Sequence, residues 1–159
     1  MQHLKLCERP EMSPGRAGCS DQSVSVDSLN QAEQLVLLSL RCFIEERCVG
    51  PRLAMIYWLA CGPGYVERAL SQFEEMLGII PDGLRRDIKI ACPTDSHLTH
   101  DEWVLLNLMA VTQKQDRKLA EISYRRLFVA GMANQVRQSI GRFMSTLASC
   151  GLKFTTGCL

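Results

Sequence analysis

Four side chains with metal-binding or catalytic chemistry fall within nine residues of one another: Cys92, Asp95, His97 and His100. A thiolate and two imidazoles suit zinc, but structural zinc sites draw on C-x-x-C or H-x-x-x-H pairs and need a complete tetrahedral set. Cys92 stands alone in its half of the segment, and only two residues separate His97 from His100. The segment therefore reads as a polar loop entering a helix. Cys92, His97 and His100 are candidate metal ligands that fall short of a set, and no cofactor is expected.

Other chemistry is equally sparse. The turn Gly62-Pro63-Gly64 precedes a helical pattern, where backbone N–H groups attract anions. It lacks the G-x-G-x-x-G spacing and the Lys-Ser/Thr of phosphate loops. Eight cysteines and three histidines permit a Cys–His pair, but no spacing marks one, and no H-E-x-x-H or G-x-S-x-G stands in the chain. No catalytic residue is assigned, and the expectation is a protein that is not an enzyme.

These residues would have to be positioned by helices. The chain has 159 residues, 47% of them apolar and 22% charged, which suits one continuous core. Residues 1–26 are rich in Ser, Gly, Pro and charge without apolar period, and read as a flexible tail; 27–159 read as one helical domain. The first helix is expected to be capped at Asp27 or Ser28, with Leu29, Val36, Leu37, Leu40, Phe43 and Ile44 on its stripe. Glu33 is the one polar member of that stripe, and Arg41, Glu45, Glu46 and Arg47 face outward. Gly50-Pro51 ends it. Residues 52–60 form a short apolar helix or a strand, and Tyr65–Leu77 an amphipathic helix stopped by Gly78 and Pro81.

Residues 84–91 fit either helical turns or a strand. Thr99-His-Asp-Glu102 is a capping box, hydroxyl at the cap and glutamate three residues on, opening a helix to about Gln113. That helix is apolar nearly all round, so it is either the centre of the bundle or part of an interface. Two further helices are expected, Asp116 to about Ala130 ending at Gly131, and about Met132 to Ser149 ending at Gly151. The fold class is all-α, an irregular bundle of five to six helices.

Charge is nearly balanced at +1, with −3 over residues 1–97 and +4 over 98–159. The order Leu98-Thr-x-x-Glu-Trp103, then Leu119-Ala-Glu-Ile122, then Val136 through Leu147, resembles the helical order of winged-helix transcription regulators. That resemblance implies a groove-entering helix lined by Gln135, Arg137, Gln138, Ser139 and Arg142. The chain departs from it in having eight residues after Gly151, no room for a two-stranded wing, and no tight glycine turn between Ile122 and Val136.

The longest apolar run, Leu53–Cys61, is about half the ~20 residues needed to cross a bilayer. No export signal is read at the N-terminus, so the cysteines are expected reduced and the compartment cytoplasmic. With Met55, Tyr57, Trp58, Phe128, Met132 and Met144 as apolar groups suited to an adaptable surface, the expected partner is another protein or a second copy. Nucleic acid is the alternative, and no membrane is expected.

Overall fold

The computed structural model describes residues 4–6, 24–46 and 50–155. Among them are six helices: α1 (Gln31–Glu46), α2 (Pro51–Cys61), α3 (Val66–Gly83), α4 (His100–Gln113), α5 (Arg117–Leu127) and α6 (Ala130–Ser149). Two three-residue strands, β1 (Leu4–Leu6) and β2 (Ile88–Ile90), pair in parallel. The all-α class and the bundle stand as expected. The tail expected over residues 1–26 falls mostly outside the described residues. Within it, β1 pairs with β2, and Val26 N–H donates to the Ser96 carbonyl while Leu98 N–H donates to that of Val24, both at 2.9 Å.

The two ambiguous segments resolve differently. Residues 51–61 are helical because Pro51 occupies the first turn, where its missing N–H costs nothing, and Gly62 closes the end at φ 77°. Ile88–Ile90 is a strand that buries both isoleucines and exposes Lys89 between them. The all-round apolar helix α4 lies inside the bundle, with Leu105, Leu106, Leu108, Met109, Ala110 and Val111 buried. Tyr57, Phe73 and Phe143 form a second focus, their rings 5.6–6.5 Å apart and drawn from α2, α3 and α6.

Several boundaries differ from the sequence reading. Asn30, not Asp27 or Ser28, caps α1: its side chain accepts from Glu33 N–H, and the Glu33 carboxylate accepts from Asn30 N–H, both at 3.0 Å. Asp27 and Ser28 belong instead to a 3-10 turn capped by Ser25. α3 runs through Gly78 and Pro81 to Gly83, because the burial of Ile80 and Gly83 outweighs one ladder bond forfeited in the last turn. Gly131 lies inside α6, and α5 stops at Leu127. There Phe128 and Val129 turn extended, with Val129 N–H donating to the Gly83 carbonyl and Arg85 N–H to that of Leu127.

α4 and α6 end alike. Gly151 takes φ 81°, with its own N–H on the Ala148 carbonyl and Leu152 N–H on Leu147, a Schellman closure. α4 repeats it with Gln115 at φ 58°, Gln115 N–H on Thr112 and Asp116 N–H on Val111.

Gly83 is where α3 meets α6. A Cβ there would sit 3.0 Å from Val136 Cγ2, 3.2 Å from Met132 Cβ and 3.3 Å from Phe128 Cδ1. Gly83→Ala is expected to destabilise by about 1–3 kcal/mol through overpacking, read as a lower midpoint in urea. An unchanged midpoint would mean that the helices separate at little cost.

Candidate functional site

The polar residues around Cys92–His100 do converge, but on Arg41. This arginine, expected to face outward, is buried against Glu102. Its Nε donates to Glu102 Oε1 at 2.8 Å and its Nη2 to Oε2 at 2.9 Å, while Nη1 reaches the Asp95 carbonyl at 2.6 Å and Nη2 that of His97 at 2.8 Å. Glu102 also accepts from Thr99 N–H at 2.8 Å, completing the capping box, and from Ala91 N–H at 3.0 Å. Its two oxygens are thus fully committed to holding the chain, leaving none for proton transfer. A sequence signal existed for Glu102 as a cap. For Arg41 there was none, since one arginine on a helix beside two glutamates reads as solvated.

Asp101 anchors the same loop from the next position. Burial raises its pKa, but hydrogen bonds from the Arg86 guanidinium and Lys89 N–H, with the charge of Arg86, prevail and hold the carboxyl below its usual range. His97 and His100 are exposed, and His97 Nδ1 lies 3.1 Å from the Ser96 hydroxyl. Cys92 is half-buried, its N–H donating to the Asp95 carboxylate at 3.0 Å. Among the described residues no group of three His, Cys, Asp or Glu is placed to hold a metal.

The core thiols are arranged for packing. Burial pushes Cys42 up, and burial together with a hydrogen bond and charge interaction from Cys150 pushes Cys61 up to about 12. A thiol in that range is a poor nucleophile at neutral pH.

The α6 residues of the nucleic-acid reading fall into two groups. Gln135 and Gln138 are exposed, while Ser139 is buried. Arg142 is paired with Glu75 of α3 at 2.5 Å. Arg137 is half-buried, its guanidinium carbon 5.1 Å from the Tyr124 ring centroid.

The feature that the sequence reading placed only in part is on α2. This helix buries a narrow stripe of Leu53, Tyr57 and Cys61. Met55, Trp58 and Leu59 are 60%, 52% and 70% exposed on another face. Of the six apolar groups expected to suit a surface, Met55 and Trp58 are exposed, Met132 is half-buried, and Tyr57, Phe128 and Met144 are core. Leu59 was legible from its spacing: i, i+3 and i+4 from Met55 mark one face, distinct from the four-residue steps of the buried stripe.

Two expected outcomes follow from the Arg41 node. Arg41→Met leaves Glu102 as a buried uncompensated charge and should cost about 3–5 kcal/mol, measured by urea unfolding; a loss under 1 kcal/mol would mean that the cap alone holds the loop. Arg86→Ala removes the partner that depresses Asp101, so that stability gained above the unfolded carboxylate value near pH 4 disappears. The difference from the native chain, about 1 kcal/mol because Arg86 is largely exposed, should be present at pH 7 and close as pH falls through the depressed pKa of Asp101.

Compared with known protein families, curated proteins and solved structures, the chain matches none of them.

Proposed function

We propose that this protein works as a non-enzymatic interaction module that self-associates through α2. The observation that carries the reading is the exposed face of Met55, Trp58 and Leu59. Large apolar side chains scattered singly on a surface are ordinary, but three on one helical face form a continuous strip that water wets at a cost. Other exposed apolar groups differ in setting: Leu119 and Ile122 on α5 stand among Lys118, Arg125 and Arg126. Between Arg52 and Glu67 the α2 segment has no charged residue at all.

A second copy is the occupant that this face fits. An uncharged strip is complementary to itself, and two-fold pairing of antiparallel α2 helices sets opposite dipole ends together. Arg52, in the first turn of its own helix where its charge is unfavourable, would meet the carbonyl end of the partner helix. The 11 residues of α2 give a strip about 17 Å long and about 10 Å wide. That is small against the ~800 Å² per partner of a standard interface, so the association is weak and concentration-dependent. Cytoplasmic location belongs to the same reading, since Cys42 and Cys61 are buried as packing groups that suit a reducing compartment.

The DNA-binding alternative keeps Gln135 and Gln138 available, but has Arg142 engaged by Glu75 and Arg137 laid on Tyr124. Self-association is therefore the reading to test. In sedimentation velocity over a rising concentration series, the native chain should shift from monomer toward dimer. Trp58→Glu and Leu59→Glu, at exposed positions that leave the core intact, should remain monomeric with unchanged unfolding midpoints. A native chain that stays monomeric throughout, or variants that dimerise as well as it does, would refute the proposal.

A further inference from the structure

We propose that the cleft between the end of α4, the start of α5 and α6 binds a small organic carboxylate, with Arg137 as its principal partner. The cleft encloses about 300 Å³ and is lined by Val111, Thr112, Asp116, Arg117, Tyr124 and Arg137, among others. That volume sits at the lower end for small-molecule sites.

Several arginines of this chain have an anionic or carbonyl partner. Arg41 is fully paired with Glu102; Arg86, Arg125 and Arg142 bind Asp101, Glu121 and Glu75; Arg85 donates to the Phe128 carbonyl. Arg137 is half-buried, yet no carboxylate among the described residues is paired with it, and its Nε is buried without an acceptor. Desolvating a guanidinium without a counter-charge is costly, and each such orphan in a folded protein calls for an explanation. The Tyr124 ring supplies only a cation–π contact at 5.1 Å. A guanidinium is itself planar, and its two-pronged set of donors is a fork that needs no further ordering of its own atoms.

The surroundings select the ligand. A rigid planar fork matches a planar carboxylate through two parallel hydrogen bonds. Buried Val111 and Ala120 offer an apolar wall for the carbon body. The Thr112 hydroxyl, 3.0 Å from that of Tyr124, is a further polar group in the lining. Arg117 adds a second positive charge at the exposed rim. Asp116 is the one carboxylate of the lining, and it is engaged as the cap of α5, accepting from Leu119 N–H at 3.1 Å. The balance at the cleft is positive. Gln115, the non-glycine residue held at φ 58°, lies on the same rim.

The test is titration of the full 15N-labelled chain with benzoate, with benzamide as the neutral isostere and inorganic phosphate as the tetrahedral anion. Benzoate should give saturable amide shifts centred on Thr112, Arg117–Ala120 and Tyr124, and benzamide none. Arg137→Gln should weaken benzoate at least about tenfold, as expected for loss of a charged hydrogen-bond partner. Arg137→Lys, which keeps the charge without the fork, should restore only part of that loss. Should Arg137→Gln fail to fold, Arg117→Gln at the exposed rim decides, with a smaller drop in affinity expected. The proposal is overturned by absence of saturable shifts with benzoate, by equal binding of benzamide, or by unchanged affinity in the folded arginine variants. Phosphate binding more tightly than benzoate would overturn the carboxylate assignment.

Discussion

Arg41 and Glu102 meet where α1, α4 and the loop after β2 converge, and each arrives there already committed to its own helix. Burying either charge alone would cost several kcal/mol. Together they leave few donors or acceptors idle: the guanidinium spans a carboxylate and two loop carbonyls, and the carboxylate takes two backbone N–H groups as well. The loop from Ala91 to Thr99 cannot move without breaking several of these bonds at once. Because that loop also carries the pairing with Val24–Val26, the placement of the described N-terminal segment depends on the same ion pair.

A second polar tie acts at the far end of the chain. Glu33, the polar member of an otherwise apolar stripe, is buried and accepts from Thr155 N–H at 2.7 Å, while Asn30 donates to the Lys153 carbonyl. Gln113 brackets the same terminal segment, donating to the Leu152 carbonyl and accepting from Phe154 N–H. In both places a helix-capping or helix-ending side chain does double duty, satisfying its own helix and fixing a chain segment distant in sequence. Polar groups are thus what give this apolar bundle its register.

The division between what was legible in the sequence and what was not follows from the range of the interactions. The Thr99–Glu102 capping box, the glycine closure at Gly151 and the helical nature of most segments depend on residues within five positions of each other, and each was readable. The burial of Arg41, the passage of α3 through Gly78 and Pro81, and the inclusion of Gly131 in α6 depend on partners dozens of residues away. Proline and glycine were read as stops because their local cost is real. At Pro81 that cost was outweighed by packing, and ahead of Gly131 the start of α6 is set by the extended Phe128–Val129 link, whose backbone is satisfied by Gly83 and Arg85. The candidate site was legible only as spacing: Met55, Trp58 and Leu59 share a face, but whether that face is covered is a tertiary fact.

Hydrophobicity alone would have ranked α2 and α4 together, and their different fates show why. α4 is apolar all round and is enclosed, touched by α1, α5, α6 and β2. α2 is just as apolar, yet the helices around it fully bury only the stripe of Leu53, Tyr57 and Cys61. A chain that takes such care to pair its buried charges, committing Arg41, Glu102, Asp101 and Glu33 to multiple partners, leaves its exceptions conspicuous. Among the described residues the apolar strip of α2 lacks a covering surface, and the half-buried Arg137 lacks a paired carboxylate. The two deficits differ in kind, involve different helices, and so point to separate partners rather than to one site seen twice.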